Sequence, residues 1–289
     1  MNIIYAIIIN IFITVSEVAV GLFVGSLALV SDAVHNFSDI GSMSLSWWGE
    51  KAKEKKATST KTYGYKRVEI IIALFNAMTL LAVVIFVFVA AVKRLYAPVE
   101  IASGYMIVMA LVALVGNGLA TYLLEKDSHK NLNLKSAWIH SLQDALFSFG
   151  VVVGSALIYF FHWYVIDPII SIILSAYILK EVYKLIRQAL DILMESVPTD
   201  IDFEAVKVGL EAMPNVIRAC DIHIWQTDSN SKFLSAHLEI EDVKNGDRNR
   251  LLGEIQNFLL QNFKIAHTTI QLVAKDGEDD TLLRCNHCN

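Results

Sequence analysis

The sequence has few charged residues, few cysteines and no basic excess, and each shortage excludes a class of protein. Charged side chains make up only 18% of the 289 residues, against about 25% in soluble proteins. Lys and Arg number 24 against 29 Asp and Glu, so the chain lacks the basic surface that nucleic-acid binding needs. Three cysteines, all in the last third, do not suggest a disulfide framework.

Apolar residues dominate what remains, at 55% of the chain, which excludes a disordered protein. Long apolar runs fill residues 1–192, whereas the acidic excess lies in residues 193–289. The first run begins at Ile3 without a basic segment or a cleavage site, so we expect no signal peptide. The division predicts a membrane domain over residues 1–192 and a soluble domain over residues 193–289.

Six stretches of the first domain are candidates for membrane spans, since a bilayer core needs about 20 apolar residues per helix. They are Ile3–Val24, Leu27–Trp48, Ile70–Val92, Tyr105–Leu124, Ala137–Phe161 and Ile166–Leu179, the last continuing towards Leu190. Basic residues cluster between the second and third stretches, between the fourth and fifth, and after the sixth. By the positive-inside rule both termini should face the cytoplasm.

Polar residues at membrane depth are rare and costly, so each is a functional hypothesis. His35 and Asp39 lie four residues apart in the second stretch, and His140 and Asp144 repeat that spacing in the fifth. Residues four apart share one face of a helix. Two such helices can offer two imidazoles and two carboxylates, which suits tetrahedral Zn²⁺. The alternative is that each pair is a local hydrogen bond within its own helix.

Other buried polar residues leave two interpretations open. Asp32 either orients the His35 imidazole from one turn away, or caps or solvates the start of its helix. Three further polar residues either line the cavity of the predicted metal site or only form hydrogen bonds between helices: Asn10, Glu17 and Asn117. Small residues in the fifth stretch, including Gly150 and Gly154 at GxxxG spacing, predict close packing of the second and fifth helices.

Four motifs occur in an order and spacing that resemble the cation diffusion facilitator family. They are Gly25–Asp39, Thr62–Glu69, His140–Asp144 and Asp221–Trp225. The resemblance extends over essentially the whole chain. It implies a homodimeric zinc/proton antiporter, not an enzyme, with six transmembrane helices and an α+β cytoplasmic domain of ferredoxin-like character that binds metal and dimerises.

The resemblance also assigns roles to residues. His35, Asp39, His140 and Asp144 match the family's transport site, and a His at position 35 resembles the zinc-preferring members. Lys66 and Asp191 match a charge pair that links two helices in relatives. The loop between the second and third helices has no His or Asp, so we expect no metal site there. The short loop between the fourth and fifth helices is typical of bacterial members, which implies the inner membrane.

Alternation and helical periodicity predict the order αββαβ for residues 193–289. We expect a helix opened by Pro198 and Asp200, strands over Val216–Gln226 and Phe233–Ile240, a helix over Asn245–Phe263, and a strand over His267–Val273. So small a domain has a limited core, which favours pairing with a second copy.

A second metal site is a further candidate in this domain. Its residues are of types that suit Zn²⁺, and positions 220 and 237 match family ligand positions: Cys220, His237, Cys285 and Cys288. Strict alternation opposes the site, because it places Cys220 on the face of Ile224 and turns His237 away. A bulge would reconcile them; otherwise Cys220 is a small core residue.

These patterns predict a proton-coupled Zn²⁺ efflux transporter. Its partners would be divalent cations, protons, membrane lipid and a second copy of the chain, with Zn²⁺ as substrate and, at the second site, a structural ion. Two alternatives remain. A zinc-sensing membrane scaffold would bind Zn²⁺ without transport, and a membrane zinc hydrolase would need an open coordination position and a separate general base.

Overall fold

The computed structural model describes residues 2–53, 57–128, 132–241 and 245–274. Some side chains within these ranges, including those of Asp39 and His140, lie outside the description. The chain forms two compact units. One comprises Met1–Glu50 and Ile72–Ile186, and the other comprises Lys51–Ile71 and Arg187–Asn289. The second unit therefore includes a segment that the sequence division assigned to the membrane domain.

Long helices build the first unit, and α3 begins in the second. Their bounds are α1 Asn2–Val24, α2 Leu27–Lys53, α3 Lys66–Tyr96, α4 Ser103–Ser128, α5 Leu132–Phe161 and α6 Ile166–Leu193. Several extend beyond the predicted apolar stretches, because polar ends continue the same backbone hydrogen bonding past the apolar core. Three described segments are long and apolar enough by themselves to cross a bilayer, namely Lys66–Tyr96, Ser103–Leu123 and Ser141–Phe161.

Large apolar side chains cover the outer surface of this unit. Phe23, Phe75 and Phe86 are each more than 70% exposed. Soluble proteins do not expose apolar surface on this scale without a partner. The outward-facing aromatic and aliphatic side chains are those of a protein surrounded by lipid.

A buried carboxylate holds the first turn of α2. Asp167, near the start of α6, accepts hydrogen bonds from Ser26 Oγ at 2.6 Å and from the backbone N–H groups of Leu27 and Ala28 at 3.0 and 3.1 Å. These N–H groups have no acceptor within their own helix. Arg94 lies 3.7 Å from the same carboxylate. Asp167 therefore caps α2 from another helix and ties α2 to α6.

The second unit contains an α+β arrangement in the predicted order. Its elements are α7 Phe203–Glu211, β1 Val216–Gln226, β2 Lys232–Ile240, α8 Asn245–Phe263 and β3 His267–Ala274. The sheet order is β1-β2-β3, with β1 antiparallel and β3 parallel to β2. Helix α7 begins later than predicted, because Asp202 rather than Asp200 accepts from the first-turn N–H groups.

The core of this unit lies on one face of the sheet. Leu234 and Ile240 of β2 are fully buried and pack with Leu210 of α7 and with Ile255 and Leu259 of α8. Both helices therefore cover the same face of the sheet.

The start of α3 and the turn before it pack against β2 in this unit. The Tyr63 ring meets the Phe233 ring edge-on at 5.3 Å between centroids. Lys66 Nζ donates to Ser231 Oγ at 3.0 Å, and Asp191 lies 4.0 Å from Arg187. The expected Lys66–Asp191 pair is therefore replaced by two other contacts.

Asp167→Ala should destabilise the protein by about 1–3 kcal/mol, because buried donors lose their charged acceptor. The effect should be local. Hydrogen exchange at the amides of Leu27 and Ala28 should accelerate in detergent-solubilised protein. The amides of Glu204 and Ala205, which Asp202 caps in α7, serve as internal controls and should exchange as in the wild type. Unchanged protection at Leu27 and Ala28 would contradict the cap.

A second prediction concerns the pH dependence of stability. Lys232, only 7% exposed, donates to Asp200, and this hydrogen bond holds the pKa of Asp200 below its ordinary value. A carboxylate with a lowered folded-state pKa stabilises above its unfolded pKa of about 3.9, and the gain is lost as pH falls through the folded pKa. Asp200→Asn should therefore lower the unfolding temperature at pH 7, and the difference should shrink below about pH 4.

Glu254→Gln is the control for that series, because its pair with Arg250 is largely exposed. We expect it to change stability by less than about 1 kcal/mol at any pH. Thermal unfolding of the full chain between pH 7 and pH 3 makes both measurements. A constant difference between Asp200→Asn and the wild type across that range would refute the role of the pair.

Candidate functional site

His35 of α2 and Asp144 of α5 meet inside the first unit. His35 Nε2 lies 3.2 Å from Asp144 Oδ1, within hydrogen-bonding distance. The two residues are 7% and 4% exposed. This contact joins the two helices that carry the predicted His–Asp pairs. An imidazole and a carboxylate so placed can hold a proton between them or turn toward a common cation.

Aromatic rings enclose the imidazole of His35. Phe147 of α5 and Tyr177 of α6 present their rings edge-on to it, at centroid distances of 5.6 and 5.8 Å. They also contact each other at 4.9 Å. Such packing restricts the orientation of the imidazole and reduces its contact with water. The low local polarity strengthens any charge interaction at His35.

The other two predicted ligands, Asp39 and His140, each lie one helical turn from His35 or Asp144. The backbone is helical from Leu27 to Lys53 and from Leu132 to Phe161, so position 39 follows position 35 by one turn and position 140 precedes position 144 by one turn. The side chains of Asp39 and His140 lie outside the described residues. Among the side chains that are described, no three His, Cys, Asp or Glu groups converge in a metal-binding arrangement.

Asp32 lies one turn from His35 and makes a second connection between α2 and α5. Its carboxylate accepts from Ser148 Oγ at 3.4 Å, and Ser148 accepts from Asn117 Nδ2 of α4 at 3.0 Å. Asp32 is 1% exposed, so the interpretation that it solvates the start of its helix is wrong. Asn117 fits the interpretation of a hydrogen bond between helices.

Glu17 of α1 joins the same polar cluster. It is fully buried, and its Oε2 accepts from Asn36 Nδ2 of α2 at 3.0 Å. Sequence reasoning flagged Glu17 only as a weak signal and did not single out Asn36. The sequence marks Glu17 and Asn36 only as polar residues within otherwise apolar helices. Spacing along the chain cannot show that residues of two different helices are in contact.

The two glycines of α5 approach no described side chain of α2, although Ser148 of the same helix contacts Asp32. A Cβ added at Gly154 would lie 2.1 Å from Ile170 Cδ1 of α6, so this glycine makes room for α6 rather than α2. Gly150 has open space beside it. The connection from α5 to α2 depends instead on His35–Asp144 and on Ser148–Asp32.

In the second unit, Cys220 and His237 lie directly opposite each other on β1 and β2. The pairing shifts by one residue between Cys220 and His223, where Asp221 adopts a left-handed φ of 50°. This β-bulge breaks the alternation. Cys220 is therefore on the face of His237, so of the two alternatives the structure has the bulge, and strict alternation fails at this point.

The surroundings of His237 include one more potential ligand. Asp221 Oδ2 lies 4.0 Å from His237 Nδ1, and its other oxygen lies 3.0 Å from His223 Nε2. Cys220 is 3% exposed, whereas His237 is partly accessible. Cys285 and Cys288 lie outside the described residues.

Two family models match the chain in succession. The model of the cation efflux transmembrane domain matches residues 3–194, and that of the cation efflux protein cytoplasmic domain matches residues 198–273. Among solved structures, the metal-bound C-terminal domain of the CzcD transporter from Cupriavidus metallidurans is 30% identical. It covers 25% of this chain and 99% of its own, with a TM-score of 0.24.

Full-length relatives are similar over most of the chain. The zinc transporter ZitB of Pectobacterium atrosepticum is 32% identical over 95% of this chain and 84% of its own. The metal cation efflux system protein CzcD of Cupriavidus metallidurans is 32% identical over 89% and 81%. The cadmium, cobalt and zinc/H⁺-K⁺ antiporter of Bacillus subtilis is 32% identical over 92% and 86%. These matches show that the chain belongs to the cation efflux family, whose members are membrane transporters and not enzymes.

Proposed function

We propose that the protein exports Zn²⁺ in exchange for protons, through a site formed by His35, Asp39, His140 and Asp144. The observation that carries the proposal is the buried contact between His35 and Asp144. An anionic and a titratable ligand from two different helices meet there, away from bulk water. Relatives named for zinc, and for zinc with protons, support the choice of cargo and of counter-ion.

The chemistry of the two residues suits an exchange. Zn²⁺ binds the neutral imidazole and the ionised carboxylate, so a proton on His35 and a cation at the site exclude each other. The imidazole changes charge near neutral pH in its ordinary state. With the cation bound, His35 and Asp144 are both ligands. With a proton bound, they are an ion pair. A reorientation of α2 against α5 would expose these two states to opposite sides of the membrane.

The remaining architecture follows from the same proposal. Helices α1 to α6 would each span the bilayer, with both termini in the cytoplasm of a bacterial inner-membrane protein, because basic residues concentrate in the inner loops. Residues 1–192 would form the transmembrane domain that transports the cation. Residues 193–289 would form a ferredoxin-like domain that binds metal and holds two copies together, as the match to a cytoplasmic efflux domain supports.

Asp144→Asn should abolish the exchange while preserving the shape of the side chain. We expect zinc uptake into inside-out proteoliposomes driven by a pH gradient to fall more than about tenfold, because losing even an outer contact of a metal site costs 10–100-fold. His35→Ala should behave alike. Gln143→Ala changes the neighbouring exposed position of α5 and should retain wild-type uptake.

Zinc binding by the same variants separates transport from sensing. Loss of binding and uptake together in Asp144→Asn supports the proposed site. Undiminished zinc uptake in both Asp144→Asn and His35→Ala would contradict the proposed transport site. Wild-type protein that binds Zn²⁺ at this site without flux would favour the sensing scaffold.

We further propose that Cys220 and His237 belong to a cytoplasmic zinc site completed by Cys285 and Cys288. The support is the β-bulge, which brings the first two residues opposite each other on one face of the sheet. A thiolate and an imidazole are both favourable zinc ligands.

The double variant Cys285→Ser/Cys288→Ser should therefore contain less zinc per chain than the wild type, by elemental analysis of purified protein. His223→Ala removes an exposed histidine of the same strand and should leave the zinc content unchanged. Equal zinc in the wild type and the double variant would show that the two cysteines bind none.

A further inference from the structure

A cavity of about 530 Å³ opens within the second unit, beside the start of α3. Its walls are formed by the turn before α3 and the first residues of that helix, by the segment after α6, and by β1 and β2. The side chains that bear on its chemistry are Tyr63, Lys66, Arg67, Glu195, Trp225 and Thr227. Within the part of the chain that the structure describes, no ligand of either proposed zinc site lines this cavity.

Positive charge predominates among the lining side chains. Lys66 and Arg67 are both cations, and the carboxylate in the lining is that of Glu195. Glu195 accepts from Arg67 Nη2 at 2.6 Å, but its side chain is 61% exposed, so water screens the attraction. His223 lies 3.0 Å from Asp221 and adds positive charge only when it is protonated. The net charge of the lining is therefore positive, which favours an anion.

Both cations keep hydrogen-bond donors for a ligand. Lys66 Nζ donates to Ser231 Oγ at 3.0 Å and lies 5.4 Å from the centroid of the Phe233 ring. An ammonium group has three N–H donors and a guanidinium group has five, and neither group accepts a hydrogen bond. Contacts with the described residues leave donors on Lys66 and Arg67. An anion with several oxygen atoms is the kind of ligand that can use them.

A buried hydroxyl group without a partner belongs to the same lining. Thr227, directly after β1, is 3% exposed, and its Oγ1 has no hydrogen-bond partner among the residues that the structure describes. A buried hydroxyl without a partner is unfavourable. Donation to an oxygen atom of a ligand in the cavity would remove that cost. Thr227 therefore points to a bound acceptor independently of the two cations.

The backbone at the start of α3 also favours an anion. Helix α3 has 31 residues and begins at Lys66, so the positive end of its dipole lies at the cavity. Gly64, with a left-handed φ of 76°, leads the chain into the helix and lines the cavity without a side chain. Glu69, the carboxylate of the first turn, accepts from Ser229 Oγ at 2.8 Å and is not a lining residue.

The size of the cavity and its aromatic walls indicate what the anion is attached to. A phosphate group fills only part of 530 Å³, so room remains for a larger molecule that carries it. Tyr63 and Trp225 both contact the Phe233 ring, at centroid distances of 5.3 and 5.5 Å. Tyr and Trp are enriched at membrane–water interfaces. Helix α3 is long and apolar enough to cross a bilayer, so its first residues would lie at a membrane surface.

We propose that this cavity binds a phosphate group, held by the side chains of Lys66 and Arg67 and by the hydroxyl of Thr227. Phosphate oxygens accept charge-assisted hydrogen bonds from guanidinium and ammonium groups. The phosphate is that of an anionic phospholipid headgroup or of a soluble phosphate, which share this chemistry. The site does not depend on the proposed transport of Zn²⁺.

Two binding measurements on purified, delipidated full-length protein in detergent distinguish these sources. Native mass spectrometry counts the phosphatidylglycerol molecules bound per chain, and calorimetry measures the affinity for inorganic phosphate. Binding of the lipid alone supports a headgroup at the membrane surface. Binding of inorganic phosphate supports a soluble phosphate. A wild-type protein that binds neither would contradict the proposal.

The variants test the named side chains. Lys66→Gln/Arg67→Gln should raise the Kd of the bound ligand more than about tenfold, because charge-assisted hydrogen bonds are lost. Thr227→Val keeps the shape of the side chain and should raise that Kd about three- to tenfold. Lys61→Gln is the matched control, since it removes an exposed cation from the turn before α3 that is not a lining residue. It should bind as the wild type does.

Protection of the wild type from chemical modification requires no variant to fold. The Arg67 side chain is 39% exposed, so phenylglyoxal should modify it, and the bound ligand should slow that reaction. Wild-type affinity in both the double variant and Thr227→Val would overturn the proposal, and so would modification of Arg67 that neither ligand slows. A smaller dimer fraction in the double variant with unchanged binding would also overturn it, because the cavity would then belong to a contact between two copies.

Discussion

A polar side chain inside an apolar helix bundle keeps its position only when another helix supplies its partner. His35 has Asp144, Asp32 has Ser148, and the first turn of α2 has Asp167. These side chains are almost completely buried, so each of these contacts is costly to break. The helices of the first unit are thus positioned by a few polar contacts as well as by apolar packing.

Helix α2 collects most of these contacts. Its first turn is bonded to α6 through Asp167, and its middle contacts α1 through Asn36 and α5 through His35. A change of charge at His35 therefore acts on the helix that connects all three neighbours. In the proposed exchange, this arrangement would link the binding of a cation at His35 to a movement of α2.

The second unit shows how one backbone irregularity changes the chemistry of a surface. At the bulge, Asp221 adds one residue to β1, so Cys220 leaves the core face and lies opposite His237. Without the bulge, Cys220 would pack among the aliphatic residues of the sheet. A left-handed φ at a non-glycine residue has no reliable signature in the sequence, because Asp occurs there only occasionally. Alternation therefore predicted the strands correctly but assigned the wrong face to Cys220.

Local patterns were sufficient to predict the long helices, the αββαβ order and the candidate ligands at positions 35 and 144, because periodicity and residue chemistry act over a few neighbouring residues. They also identified Glu17 and Asp32 as unusual at membrane depth. Only the tertiary structure decided which helices those residues join. The contact between His35 and Asp144, the hydrogen bond from Asn36 to Glu17, and the packing of Gly154 against α6 all relate residues on different helices. Spacing along one helix cannot determine such contacts, since they depend on how the helices pack.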